Sequence, residues 1–329
     1  MNATIRTHRP VPALRMPQRV AWSTLTTAAI LVALAVCDLL LQPALADVVQ
    51  IGLLLQTALP LVFVAAAQTL VILVRGIDLS VGGIFVVANA ITAVWVGGDA
   101  GSHQLLLIVA VASGLAMGAL NGALVAGLRF EPFIATLGTW TIFSGIALLI
   151  LPTDGGTPPP FLTNIILGDV AGVPSSIVIL AAIFGVWRGV RATRFGHRML
   201  AVGADEERAR LNGTPVRTVK LAVYSLAGLC AGLGGIYSAA ATSSGTPTAG
   251  DPYILTSVAA VVIGGTSLLG GRGGIGLSMM AALSLTLIAD IVSAVDLDVW
   301  VSVAASAGLL LVIVVARSLV ERHVERRRA

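Results

Sequence analysis

Polar residues interrupt an otherwise apolar chain at a few places, and their types suggest the chemistry to look for. The stretch "LVILVRGIDLSVGGIFVV" (70–87) sets Arg75 and Asp78 between two apolar runs. A charge at a bilayer centre costs roughly 2.5–3.5 kcal/mol on insertion scales, so charges here need partners or water. At a turn between spans near the membrane surface, Arg75 and Asp78 can pair or reach water. Asp78 or Ser80 is placed to cap the following run, with Gly76 permitting the turn. The same residues could contact a polar pathway or gate, since irregular backbone at membrane depth is tolerated facing protein or a watery cavity. Asn89 and Asn121 lie inside apolar runs and must find hydrogen-bond partners, on neighbouring helices or a solute. In "EPFIATLGT", Pro132 starts a helix, Phe133 follows it, and Thr136 and Thr139 share a face. Their hydroxyls suit a sugar or a neighbouring helix equally. Thr266 and Ser267 precede "GRGGIG" (271–276), a literal match to G-x-G-x-x-G. That fingerprint needs a strand–turn–helix in a soluble α/β domain. Between apolar runs it reads as a tight glycine turn, with Thr266 and Ser267 as candidates for a pathway wall or cytoplasmic gate.

Enzyme chemistry has no positive sign. The four histidines fall in tails or loops without metal-ligand spacing, and Cys37 and Cys230 lie in apolar runs as small core residues. No nucleophile–base pair presents itself. Were the chain to move a solute against a gradient it would need energy, yet it has no phosphate-cradling loop: its one lysine, Lys220, sits between Val219 and Leu221 with no glycine beside it. Either a partner hydrolyses ATP or an ion gradient drives transport. The segment "ADEERARLNG" (204–213) bears on this. From Ala204 it reads as a short polar helix, with Asp205, Glu206 and Glu207 toward its N-terminus and Arg208 and Arg210 toward its C-terminus, as the helix dipole prefers. Asn212 and Gly213 end it, and Ala209 and Leu211 could pack in a groove. It is a solvated connector or a docking element.

The elements that position these residues follow from composition. The chain has 329 residues, 57% hydrophobic, 11% charged, where soluble domains carry about 25% charged. Mean hydropathy is +0.95. Apolar runs are helix-length, unlike the alternating segments of a barrel, and the 36 glycines suit close helix packing in lipid. The expected fold is an all-α integral membrane protein of about ten spans: 20–41, 50–74, 79–97, 104–128, 133–151, 174–188, 219–241, 252–267, 274–293 and 298–317. The sixth and eighth look short, so broken or re-entrant spans are expected there. With ten spans and both termini cytoplasmic, all 20 Lys and Arg fall inside: a basic tail (1–19), Arg75, Arg129, the loop 188–218 with Lys220, Arg272, and the end of the chain from Arg317. The membrane domain is 20–317 and the final basic tail 318–329. Outer connections carry only acids, such as Asp47, Asp154 and Asp251. A cleavable leader ending at "ALA" (44–46) would leave an odd number of spans, so the first is expected to stay. The basic termini suit anionic lipid better than nucleic acid, and no nucleic-acid partner is expected.

Four motifs arrive in order: "GIDLSVG" (76–82), "LNGALVAGLRFEPFIATLGTWTIFSGIA" (120–147), "FGHRMLAVGADEERARLNGTPVRTVKLAVYSLAGLCAGLGGIY" (195–237) and "VAAVVIGGTSLLGGRGG" (258–274). Together they resemble the permease subunit of bacterial ATP-binding-cassette importers of the ribose/monosaccharide class, over about 50–317. The resemblance implies a multi-pass inner-membrane protein working as a homo- or heterodimer of permeases. It implies cytoplasmic ATPases that carry ATP-Mg, no cofactor in this chain itself, and a periplasmic or lipid-anchored solute-binding protein that delivers a sugar-like solute. It also implies that 204–213 is the coupling helix entering a cleft in the ATPase. The chain departs from the family pattern at Arg75 (usually Gly), at Ile254 and Thr256 (usually acids) and at Asp290 (usually Asn). A nucleoside or a furanone signal is the alternative cargo. An ion-driven secondary transporter is the rival class, with Asp38 and Asp290 as its only intramembrane acids, and a non-transporting membrane scaffold is a further one.

The segregation of basic residues makes topology testable. Single cysteines at Gly155 and Ala249 are expected to react with an impermeant reagent outside sealed cells, while one at Glu206 stays unlabelled. Outside labelling at 206 would overturn the ten-span arrangement.

Overall fold

The computed structural model describes residues 18–96 and 103–295, with helical backbone also at positions 301, 304, 308, 311 and 315. The chain opens with α1 (Gln18–Leu41), a 3-10 turn (Pro43–Ala46) and α2 (Val48–Leu73). Asp47 caps α2, its carboxylate accepting from the Val49 amide at 3.0 Å. Helix α3 (Val81–Ile91) runs on into a π turn (Thr92–Val96), and α4 (His103–Gly122) likewise into Ala123–Gly127. Pro132 begins α5 (Pro132–Ile150), as expected where its missing N–H costs nothing. A short α6 (Pro160–Leu167) leads to a ribbon of β1 (Asp169–Val170) and β2 (Val173–Pro174), with Val170 opposite Val173. Then come α7 (Ser175–Ala192), α8 (Arg194–Ala204), α9 (Glu206–Leu211), α10 (Val216–Thr242), α11 (Asp251–Ile263) and α12 (Ile275–Ala294).

Among the described residues, seven helices are long and apolar enough to cross a membrane: α1, α2, α4 with its π turn, α5, α7, α10 and α12. The all-α membrane fold is therefore as the composition implies. The third and eighth expected spans correspond to shorter apolar helices, Val81–Val94 and Asp251–Ile263. The sixth is full length at 18 residues, so the short segments are the third and eighth, not the sixth and eighth. Arg188 and Arg191 lie within the last turns of α7, so its apolar run is shorter than the helix, whereas α3 is short and all its residues, Asn89 included, are buried, with α4, α5 and α10 packed against it. The tenth span, 298–317, the tail 318–329 and residues 1–17 of the N-terminal tail lie outside the continuously described residues.

Helix α10 is the packing centre, meeting α4, α2 and α3. Glycine makes this possible. Gly114 and Gly118 of α4 face Gly228 and Gly232 of α10, so the backbones touch. A Cβ built on Gly228 would lie 2.7 Å from the Gly118 Cα, and one on Gly235 would lie 3.0 Å from the Asn89 amide nitrogen. In lipid, where helices gain little from excluding water, such small-residue contacts drive association. Gly228→Leu is expected to force α4 and α10 apart, lower the unfolding temperature in detergent and reduce membrane abundance, at a cost of about 1–3 kcal/mol for overpacking. Gly138→Leu, where a Cβ meets nothing within 4 Å, is the control expected to leave both unchanged.

Candidate functional site

The chain leaves α2 through a left-handed turn. The Arg75 amide donates to Ile72 O at 3.0 Å and the Gly76 amide to Val71 O at 3.0 Å. Arg75 itself holds the positive φ, 66°. Gly76 therefore does not supply the left-handed residue. It is small because a Cβ there would sit 2.8 Å from Val71 Cγ1 and collide with the Tyr224 hydroxyl. Nor do Arg75 and Asp78 pair. The Arg75 guanidinium turns outward to the carbonyls of Gly203 and Ala204, while Asp78 is fully buried.

Asp78 Oδ1 accepts from the Ser80 amide at 2.8 Å and from the Ser80 hydroxyl at 2.6 Å. This fixes the turn ahead of α3, but neither side chain caps the helix: Ser80 is the N-cap residue and makes no side-chain capping bond. Ser80 Oγ in turn accepts from Asn121 Nδ2 on α4. The Thr136 hydroxyl of α5 accepts from the Leu79 amide at 3.1 Å and lies 2.8 Å from its own Pro132 O. The turn thus gathers Asp78, Ser80, Asn121 and Thr136, and knits α3 to α4 and α5. Thr139 hydrogen-bonds back to Thr136 O at 3.2 Å, one turn along. Phe133, on the same helix, is 48% exposed. Asp78 Oδ2, Asn121 Oδ1 and Tyr224 Oη are buried without a protein partner among the described residues.

The other polar residues form separate networks. Asn89 donates to Gly235 O at 3.3 Å and accepts from the Thr246 amide at 2.8 Å, bonding α3 to α10 and the loop beyond. Thr266 Oγ1 accepts from the Gly274 amide at 3.2 Å, and Ser267 Oγ from the Leu269 amide at 3.2 Å. These bonds close the glycine turn, whose Gly270, Gly271, Gly273 and Gly274 all have positive φ. Asp38 and Asp290 meet through Gln42, whose amide donates to Asp38 Oδ1 at 3.0 Å and to Asp290 Oδ2 at 2.8 Å.

The 204–213 segment divides. Ala204 ends α8, and Asp205 caps α9 by accepting from the Arg208 amide at 3.0 Å. Glu207 pairs with Arg210 at 2.6 Å. That hydrogen bond holds the Glu207 carboxyl below its ordinary pKa and raises that of the guanidinium. Glu206 meets Lys220, which ties α9 to α10. Gly213, with φ of 77°, follows Asn212 and stops the helix as expected. Ala209 and Leu211 do not share a groove-facing side. Ala209 is buried in the hydrophobic core of this chain, at 5% exposure, while Leu211 is 73% exposed. Residues two apart point to opposite sides of a helix, which decides this.

Several contributors were missed. Arg191 and Arg217 counted only as topology markers and Arg75 was expected to pair with Asp78 or reach water, yet each bonds backbone carbonyls: Gly203 and Ala204 for Arg75, Gly273 for Arg191, and Ala126 with Gly127 for Arg217. Their proximity to helix ends was the available signal, since basic side chains satisfy terminal carbonyls. Tyr224 and Gln68, both fully buried, were also passed over. A glutamine within the 26-residue apolar α2 was the clearer sign.

Residues 50–316 match the family described as branched-chain amino acid transport system / permease component. The chain is 40% identical over 230 residues to the ribose import permease protein of Escherichia coli strain K12, covering 67% of this chain and 70% of that one. It is 30% identical over 263 residues to the D-allose transport system permease protein of the same strain (79% and 81%). With the fructose import permease protein of Rhizobium meliloti it shares 35% over 233 residues (68% and 65%). No solved structure matches.

The buried turn makes a graded prediction. Asp78→Asn keeps an acceptor for Ser80 and is expected to be mild. Asp78→Leu strands the Ser80 amide and hydroxyl in a buried site, a loss of about 1–3 kcal/mol. Permease abundance and unfolding temperature in detergent should both fall for Leu and hold for Asn. Equal behaviour of the two variants would remove the role of Asp78 in holding the turn.

Proposed function

The chain belongs to the family of branched-chain amino acid transport system permease components, and from that premise we propose that it is the membrane subunit of an ATP-driven importer for a monosaccharide. The family description names amino acids, but relatives at 30–40% identity are ribose, allose and fructose permeases. The 40% identity to a ribose permease carries the choice of cargo. The seven membrane-length helices suit a multi-pass inner-membrane protein. In the full arrangement proposed here, ten spans place both termini and α8–α9 in the cytoplasm, where all basic connections lie.

The subunit makes no covalent change to its cargo. Two permeases, of this chain alone or with a second kind, enclose the pathway. Cytoplasmic ATPases holding ATP-Mg dock on α9, and a solute-binding protein delivers cargo from outside. Transport is alternating access: ATP favours one conformation, and loaded binding protein and released nucleotide another. Helix α9 is built for docking. Its cap, its Glu207–Arg210 pair and the Glu206–Lys220 bridge fix it, while Leu211 stands free on its outer side. Asp78, Ser80, Asn121, Thr136 and Thr139 are candidates for the gate, next to the turn they organise. Asn89, Phe133, Thr266 and Ser267 are candidates for the pathway wall.

The test uses the complex of permease, ATPase and binding protein in vesicles. Labelled ribose, allose or fructose is expected to accumulate with ATP, and labelled leucine is not. Leucine, nucleoside or furanone uptake without sugar uptake would replace the proposed cargo, and uptake without ATPase would favour ion coupling. Leu211→Asp is expected to leave permease abundance unchanged and to reduce co-purified ATPase about tenfold, the scale of one buried leucine. Ala209→Trp is a folding control, because that position is already filled by the chain's own core. ATPase retention by Leu211→Asp would send the docking site elsewhere.

A further inference from the structure

Arg75 is in an unusual position for an arginine. Its φ of 66° is a left-handed conformation that a non-glycine residue holds only when its surroundings compel it. The compensation is visible in its side chain. Nε donates to Gly203 O at 2.7 Å, and Nη2 donates to Ala204 O. Those carbonyls end α8, where backbone acceptors lack helical partners and the helix dipole favours a cation. Asp205, the next residue, is the cap of α9. One side chain therefore connects the end of α2 to the junction from which α9 starts.

The backbones around it are in contact. Gly271 N donates to Leu73 O at 3.0 Å. A Cβ on Gly203 would overlap Leu73 O and lie 2.6 Å from Gly271 N. One on Gly270 would lie 2.6 Å from Arg75 Cγ and 2.8 Å from Gly203 O. The α8–α9 junction and the end of α2 are thus close neighbours, and Arg75 is the side chain that joins them. On its other side, the turn that Arg75 begins runs through Asp78 and Ser80 to Asn121 on α4, and through Leu79 to Thr136 on α5.

We propose that Arg75 is a positioning residue for energy coupling: its two-headed bond to Gly203 and Ala204 carries displacement of α9 into the α2–α3 turn, and from there to α4 and α5. This role presupposes that the ATPase docks on α9. The guanidinium bonds backbone carbonyls of this chain. It keeps the docking helix and the turn in one rigid unit, so that a push on α9 is not lost in the loop.

Arg75→Gly separates this from a merely structural part, because glycine accepts φ of 66° without strain while the link is removed. Reconstituted Arg75→Gly complex is expected to retain permease abundance, unfolding temperature and co-purified ATPase. Solute moved per ATP hydrolysed should fall about tenfold, the scale of hydrogen bonds from a charged donor. Arg75→Lys, keeping the charge but not the fork, should give an intermediate ratio. A wild-type ratio in Arg75→Gly overturns the proposal, as does a loss of unfolding temperature with an unchanged ratio. If Arg75→Gly does not accumulate, Arg75→Lys decides: a lowered ratio supports the link and a wild-type ratio overturns it. If Leu211→Asp retains its ATPase, it is the docking assignment of α9 that fails, whatever Arg75 does.

Discussion

The structure depends on how closely α10 can approach its neighbours. In lipid the helices gain no large hydrophobic benefit from meeting, so contact area and backbone proximity must hold them. Gly228 and Gly232 against Gly114 and Gly118 remove every side chain that would keep α4 and α10 apart. Gly235 does the same against Phe85 O of α3. With α10 seated between α2, α3 and α4, α3 is enclosed and can be short. Its 11 residues need no lipid-facing stripe and no membrane-matching length of their own.

That enclosure sets the terms for the polar residues. A buried Asp78 or Asn89 has no water to fall back on, so its position is dictated by donors within reach. Asp78 takes two hydrogen bonds from Ser80, and Asn89 bridges α10 and the Thr246 amide. At the exposed ends the same requirement falls on backbone carbonyls, and arginines meet it. Arg75, Arg191 and Arg217 each reach across long sequence distances to a helix or turn terminus. The same arginines therefore fasten the end of α2 to that of α8, α7 to the glycine turn before α12, and α10 to the π turn after α4.

Much of this was legible beforehand. Apolar runs placed α1 to α5, α7 and α10 to α12 to within a few residues, because a helix crossing lipid must be continuously apolar. The cap, charge order and glycine stop of α9 were readable because they are local: Asp205, Glu207, Arg210 and Gly213 act within one or two turns. The short polar segment around Asp78 was recognised as a turn, but not the assignment of roles inside it. Gly76 was expected to permit the turn, but it is Arg75 that takes the left-handed conformation.

The sequence by itself determined the helical membrane class, the approximate bounds of the apolar helices and the family, since each follows from composition, spacing or ordered motifs. Tertiary structure decided which carbonyls Arg75 reaches, why Gly76 must be small beside Tyr224, and which side of α9 is free. It also brought Asp38 and Asp290 together on Gln42, which lies 248 positions from Asp290. These are contacts between segments distant along the chain. No local periodicity encodes them, because they exist only once helix packing has fixed which ends lie side by side.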